Sequence, residues 1–241
     1  MSTLARNSVA PRTLVEPSSE ELSRLEKRLP PLLSVIAGMV DLTGFFTLGH
    51  VFTAHFTGNL VVAAAALVHA GPFNTAQALA IPVFIVALAV VWLIAEASHR
   101  HGLSLSRLLL VVQFLLLTAV LIFTVITKPS TNPSGLAAGT AVMIAVSAMA
   151  CQYALLRLAL PRVVSTAVMT GNLTNATLSL MGLLSKRHSP SRVDAERLKE
   201  SVRLLVGFLV GCVVAAAAVL FLADWAWSLP VALAALAIAV R

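Results

Sequence analysis

Long apolar runs dominate the sequence from Pro30 to its end. A run of about 20 apolar residues is long enough for an α-helix to cross a hydrocarbon layer about 30 Å thick. Hydrophobic residues make up 59% of the chain and charged residues only 11%, whereas a soluble domain carries about 25% charged residues. The sequence therefore predicts an all-α, polytopic membrane helix bundle. The apolar segments lie at 30–48, 51–70, 79–98, 107–127, 135–156, 163–184, 202–223 and 228–240.

The N-terminal tail differs from the rest, because it is polar and basic. Leu22, Leu25 and Leu29 share one face of a predicted helix that also carries basic residues, a pattern typical of helices that lie on a membrane surface. We expect residues 1–29 to form a cytoplasmic tail with a short amphipathic helix. The membrane domain is predicted to follow over 30–241.

The basic residues lie mainly in loops and in the tail, and the formal net charge is +7. This distribution is typical of the cytoplasmic side of a membrane protein, and it lacks the aromatic-bearing basic surface that a nucleic-acid binder needs. We therefore expect a protein of the cell inner membrane with a cytoplasmic N-terminus, with the lipid bilayer as partner and no nucleic acid. The sequence leaves open whether it forms a homo-oligomer.

The pattern T-A-x-x-T-G-N-L occurs twice, at 53–60 and 166–173. A shift of the chain by 113 residues superimposes the two copies, so they occupy corresponding places in the two halves. A match that includes the uncommon G-N pair is hard to explain by the abundance of Ala and Leu. We interpret the halves, about 30–127 and about 135–241, as internal repeats.

A TGN triplet weakens a membrane helix, since Gly disfavours the helix interior and Asn and Thr favour its N-terminus. Both triplets precede an apolar stretch of helical length. A half-helix beginning there would expose unpaired N–H groups that attract an anion or a polarised carbonyl. The alternative is that the glycines only let helices pack closely. We predict ligand contacts from both triplets, which are Thr57, Gly58, Asn59, Thr170, Gly171 and Asn172.

Two further polar residues lie in the apolar segments that precede the triplets. They are Asp41 in the first half and Gln152 at an approximately equivalent place in the second. A carboxylate at mid-membrane depth costs about 2.5 kcal/mol or more, so it should face a partner or a cavity. We add both residues to the predicted ligand site. His55 is interpreted as a hydrogen-bonded packing residue.

Loop charges distinguish two membrane topologies. If each TGN segment enters and leaves on the same side, 16 of the 17 Lys and Arg residues lie inside and only Lys128 lies outside. The positive-inside rule favours this arrangement of six spans and two inverted halves over eight spans. With eight spans, the basic residues outside would be Arg100, Arg107, Arg157 and Arg162.

The stretches AGMVDLTGFFTLGHVFTAHFTGNLVVAAAAL and ACQYALLRLALPRVVSTAVMTGNLTNATLSL resemble the YoaK-like family of bacterial inner-membrane proteins, known mainly as a domain of unknown function. The similarity includes Asp41, the first TGN triplet and Gln152. The chain departs from the family pattern at two positions. His55 stands where the family often has an amide side chain, and Tyr153 stands where it often has an asparagine. The resemblance implies a multi-pass membrane protein of about six spans, with no established substrate or cofactor.

No nucleophile motif, HExxH, Walker A or dinucleotide fingerprint occurs in the sequence. Glu96 and His99 would supply only two metal ligands. We expect neither enzyme activity nor a cofactor or metal. The leading hypothesis is a small secondary transporter or permease for a small polar or anionic solute. The alternative is a non-transporting membrane scaffold or stress-associated protein, in which the TGN motifs only pack helices.

Overall fold

The computed structural model describes residues 19–69, 75–101, 103–160, 163, 166, 168–184 and 192–240. Within these ranges the chain forms eight α-helices and no strand. Short 3-10 turns lie at Pro129–Thr131 and Ala223–Trp227, and a π-helical turn follows the fifth helix at Leu155–Ala159. The helices are α1 (Ser19–Thr47), α2 (Phe56–His69), α3 (Thr75–His101), α4 (Leu105–Thr127), α5 (Leu136–Ala154), α6 (Met169–Leu184), α7 (Arg192–Leu222) and α8 (Ser228–Val240).

Several helices are long and apolar enough to cross a membrane, and the predicted all-α polytopic bundle is confirmed. In contrast, α2 and α6 have 14 and 16 residues, which makes them about 21 and 24 Å long. Both are shorter than a hydrocarbon layer of about 30 Å. The candidate spans are Leu25–Thr47, Thr75–Ser98, Leu105–Thr127, Leu136–Ala159 and Arg192–Val240, the last of which contains α7 and α8.

Helix α1 runs through the predicted boundary between tail and membrane domain without a break. Residues 19–29 extend α1 and do not form the separate surface helix expected from the sequence. The physical reason is that Leu25 and Leu29 are only 5% and 1% exposed and pack in the core. Protein therefore covers Leu25 and Leu29, which were predicted to contact lipid, while the side chain of Leu22 lies outside the described residues. Residues 1–18 lie outside the described part of the chain.

Helices α1 and α7 lie parallel and very close together. Gly207 of α7 lies against Pro31 of α1, and Gly211 lies against Val35 one turn further along. A Cβ atom at Gly211 would be 2.2 Å from the carbonyl oxygen of Val35, a distance that no side chain tolerates. The G-x-x-x-G spacing in α7 is typical of close helix packing in membranes.

One face of the bundle, which we call the upper face, contains the end of α1. The indole nitrogen of Trp227 donates a hydrogen bond to Oγ1 of Thr47 over 3.3 Å. On the same face, Ser130 Oγ donates to Asp224 Oδ2 over 2.6 Å. The connection between α4 and α5 and the connection between α7 and α8 therefore both lie beside the end of α1.

Helix α2 also returns to the upper face. Residues 48–55 descend from the end of α1 as a non-helical limb, and Gln77 near the start of α3 donates to the carbonyl oxygen of His50 over 3.2 Å. Helix α6 runs the opposite way, because Gly182 near its end lies beside Asp194 in the first turn of α7. The parallel packing of α1 and α7 puts that turn on the opposite, lower face.

Candidate functional site

The chain reverses direction sharply after α1. Gly49 and His50 have φ angles of 82° and 60°, in the left-handed region that glycine adopts without steric cost. The non-helical limb 48–55 follows this reversal. In an apolar interior the backbone N–H and C=O groups of such a limb need partners from side chains, because no water or helix supplies them.

Asp41 supplies several of those partners. Its Oδ1 accepts hydrogen bonds from the backbone N–H groups of Thr53 and Ala54, over 2.7 and 2.6 Å. Its Oδ2 is paired with Nδ1 of His55. Asp41 is buried, at 5% exposure. The carboxylate predicted to bind a ligand therefore holds the limb against α1.

Each TGN triplet lies in the first turn of its helix, and in the first copy two of its members also hold the limb. Asn59 Oδ1 accepts from the backbone N–H of Phe52 over 2.9 Å, and Asn59 Nδ2 donates to the carbonyl oxygen of Phe52 over 2.7 Å. A Cβ atom at Gly58 would lie 2.9 Å from the Phe52 ring. Gly58 thus allows close packing of the limb on α2, and Asn59 bonds the limb to α2.

Gln152 plays a comparable part in the second half. Its Nε2 donates to the carbonyl oxygen of Leu33 over 2.9 Å and to Thr166 Oγ1 over 3.2 Å, and its Oε1 accepts from Gln113 over 2.8 Å. Thr166 and Thr53 are the first residues of the two copies of the repeated pattern. In each half, a polar residue from the preceding helix bonds to that threonine.

A cavity of about 1080 Å³ lies between the first turns of α2 and α6, helix α3 and the end of α5. The structure brings the two TGN triplets together at this cavity, although they are far apart in the sequence. The predicted site residues that line it are Thr57, Thr170, Gly171 and Asn172. The other predicted residues, Asp41, Gly58, Asn59 and Gln152, are not among its lining residues.

Aromatic and basic side chains that the sequence did not assign to a site line other parts of the cavity. The ring of Phe56 stacks on Phe84 with centroids 4.0 Å apart, and Tyr153 meets Phe84 edge-on at 5.5 Å. Trp92 and Arg157 also line the cavity. In the sequence, Arg157 is a single basic residue in an apolar stretch and carries no motif, so only its unusual setting could have identified it.

His55 and Tyr153 join the cavity wall to the limb. The side chain of His55 is 30% exposed and lines the cavity, while its Nδ1 is bonded to Asp41. Tyr153 OH donates to the carbonyl oxygen of Ala54 over 2.5 Å. His55 is hydrogen-bonded, as the sequence interpretation expects, but it also faces the cavity. Tyr153 links the second half of the chain to the limb of the first.

Charged side chains are few around the cavity. Among the described residues, the ion pairs are Asp41 with His55 and the i,i+4 pair of Glu96 with Arg100, at 3.7 Å. Within the part of the chain that the structure describes, the residues that line the cavity include no Asp or Glu. The side chain of His99, which the sequence pairs with Glu96 as two metal ligands, lies outside the described residues.

A multi-pass helical membrane protein with a cavity at the start of two short helices is the class that these features define. The chain belongs to the family described as Protein of unknown function (DUF1275), whose profile matches residues 29–240. It is similar to the UPF0700 transmembrane protein YoaK of Bacillus subtilis (strain 168), with 45% identity over 51 residues, which is 20% of this chain and 23% of that relative. No solved structure matches the chain. The resemblance to the YoaK-like family is confirmed.

Proposed function

We propose that the protein is a small secondary transporter or permease and that the cavity holds its solute, a small polar or anionic molecule. The observation that carries the proposal is that the first turns of α2 and α6, two helices that run toward opposite faces, line the same cavity. A helix N-terminus exposes unpaired N–H groups and carries about half a positive charge. Broken helices of opposite direction that meet at a central site are a recurring plan of secondary transporters.

Six spans with two re-entrant segments is the topology we propose for this transporter. The hydrogen bond between Ser130 and Asp224 supports six spans, because eight spans would put these two residues on opposite sides of the membrane. The bond between Gln77 and His50 supports re-entry of α2 for the same reason. With the lower face in the cytoplasm, the basic loops of the inner membrane protein obey the positive-inside rule.

The pattern of helix contacts supports an internal duplication, which we propose as the basis of the same mechanism. If α1 to α4 correspond to α5 to α8, the contact of α1 with α7 corresponds to that of α5 with α3. In the same way, the contact between α2 and α3 corresponds to the contact between α6 and α7. The contact between α4 and α5 corresponds to the contact between α8 and α1. All six pairs are in contact. Two inverted halves of this kind are the basis of alternating access in many transporters.

The alternative, a scaffold in which the TGN glycines only pack helices, has less support. Gly58 faces Phe52 of its own limb, and Gly171 faces Val168 just before its own helix. The close approach between helices is made instead by other glycines, such as Gly211 of α7. The TGN triplets therefore shape the re-entrant segments and the cavity wall.

Reconstitution into liposomes tests this function. Vesicles that contain the K⁺ ionophore valinomycin are mixed with hyperosmotic potassium lactate, potassium phosphate or glycerol, so that K⁺ entry balances the charge of the anion, and re-swelling is followed by light scattering. We expect at least one solute to re-swell the vesicles faster than protein-free controls. Gly171→Leu should slow this re-swelling about tenfold or more, since the added side chain would cover the N-terminus of α6 at the cavity wall, and a loss of about 1.4 kcal/mol corresponds to tenfold.

Thr177→Leu is the matched control, because Thr177 is exposed on the same helix and does not line the cavity. It should leave the rate unchanged. Re-swelling no faster than in protein-free vesicles for all three solutes would contradict transport of small polar or anionic solutes, and equal rates for the two variants would contradict a path through this cavity.

A further inference from the structure

The cavity is larger and more apolar than a small polar solute requires. Its volume of about 1080 Å³ exceeds the usual range of about 300 to 1000 Å³ for pockets that hold drug-sized ligands. One wall is apolar over a long distance, with Phe84, Leu88 and Trp92 spaced along α3. Polar groups of a solute placed against this wall would lose hydrogen bonds to water without replacing them, so the wall fits an apolar part of the solute.

The cavity is open along one side. Trp92, Leu158 and Val168 line it and are 56%, 42% and 51% exposed. In a membrane protein, exposed apolar side chains of this kind contact lipid. A ligand with an apolar body could therefore reach the cavity and bury that body against α3.

The polar part of the cavity is electropositive. The N-termini of α2 and α6 both contribute positive potential, and Arg157 adds a full charge. No carboxylate of the described residues lies within ion-pairing distance of Arg157. Arg157 belongs to a π-helical turn, a feature found frequently at functional sites. A guanidinium group binds a carboxylate through two parallel hydrogen bonds.

We propose that the cavity binds an amphipathic organic anion, an apolar monocarboxylate with an aromatic body. The carboxylate lies at Arg157 and the N-terminus of α6, and the ring lies against Trp92 and Phe84. This inference rests on the proposed function for the step of transport, and it narrows the solute of that function to one chemical class. Binding itself can be measured without transport.

Calorimetric titration of the protein in lipid nanodiscs tests the ligand class, with empty nanodiscs as the blank for partition into lipid. The probes are 2-naphthoate, its neutral analogue 2-naphthamide, and inorganic phosphate. We expect 2-naphthoate to bind about tenfold or more tightly than 2-naphthamide, because a hydrogen bond to a charged group is worth about 1.5 to 3 kcal/mol. Phosphate should not bind at the same concentrations.

Two pairs of variants locate the ligand. Arg157→Gln should abolish the preference for 2-naphthoate while leaving the affinity for 2-naphthamide unchanged, which also shows that the variant is folded. Arg203→Gln, at an exposed position of α7 outside the cavity, should keep the preference. Trp92→Leu should weaken binding of both naphthyl probes severalfold, whereas Trp225→Leu, at an equally exposed tryptophan outside the cavity, should not.

Equal affinity of wild type for the two naphthyl probes, an undiminished preference in Arg157→Gln, or phosphate binding as tight as that of 2-naphthoate would each overturn the proposal. The proposed function can fail separately. Binding of 2-naphthoate without solute flux in liposomes would support the ligand class and refute transport. Flux of lactate or phosphate without binding of 2-naphthoate would support transport and refute the ligand class.

Discussion

At the scale of single residues, side chains replace the hydrogen bonds that a helix would have supplied. Asp41 accepts from two successive backbone N–H groups of the limb, and Asn59 bonds to both backbone groups of Phe52. The rule that an intramembrane acid faces a partner or a cavity holds for Asp41, and the partner is the backbone. Asp41 also pairs with His55, which lines the cavity.

Substitutions of Asp41 should show how much its hydrogen bonds to the limb contribute to the thermal stability of the protein in detergent. Asp41→Leu removes every acceptor and leaves two buried N–H groups unpaired, each at a cost of about 1 to 3 kcal/mol, so we expect a large drop in Tm. Asp41→Asn keeps an oxygen for Thr53 and Ala54 and should cost markedly less. Glu196→Gln, at an exposed position, is the control. Equal losses in the Leu and Asn variants would show that the limb does not depend on these bonds.

At the scale of helices, the bundle combines long helices that approach very closely with two short helices that start inside it. The sequence predicted α4 and α8 nearly to the residue, because apolar runs of uniform character end at clear loop signals. The TGN triplets correctly predicted the starts of α2 and α6, although the apolar segments that contain them begin about five residues earlier, because the non-helical stretches there are as apolar as a helix. The glycine contact between α1 and α7 was not predicted, because it depends on which helices become neighbours.

Alanine substitutions at two glycines should have opposite effects on stability. Gly211→Ala should destabilise the protein by about 1 to 3 kcal/mol or more, because its Cβ would overlap the backbone of α1. Gly139→Ala, in α5, should be neutral or stabilising by up to about 1 kcal/mol, since the nearest atom is 3.9 Å away and Ala favours the helix. Thermal unfolding followed by circular dichroism measures both. A stabilising effect of Gly211→Ala would contradict the close contact.

At the scale of the whole molecule, the upper face gathers connections that eight spans would distribute between two sides of the membrane. The two halves are joined there by the connection between α4 and α5, which Asp224 holds through Ser130. Across the interior, Tyr153 of one half bonds to the limb of the other. The cavity thus lies between helices of the two halves of the chain.

Labelling of introduced cysteines with a membrane-impermeant maleimide, in a background where Cys151 and Cys212 are serine, tests this topology. In six spans, Thr131→Cys should react from outside the cell and Leu103→Cys only after the cytoplasmic side is exposed. Eight spans predict the reverse for both positions. Glu196→Cys is the internal reference, because both topologies put it in the cytoplasm.

The sequence by itself determined that the chain folds in a membrane. Its apolar runs are long enough to span a bilayer, and its charged residues are too few for a surface that faces water on all sides. It also indicated that helices begin near the two TGN triplets, since Gly disfavours the interior of a helix and Thr and Asn favour its start. Only the tertiary structure decided which polar residues face the cavity. Asp41, Asn59 and Gln152 can bond equally well to a ligand or to the protein itself. The path of the limb brings its backbone to Asp41 and Asn59, and helix packing brings Leu33 and Gln113 to Gln152.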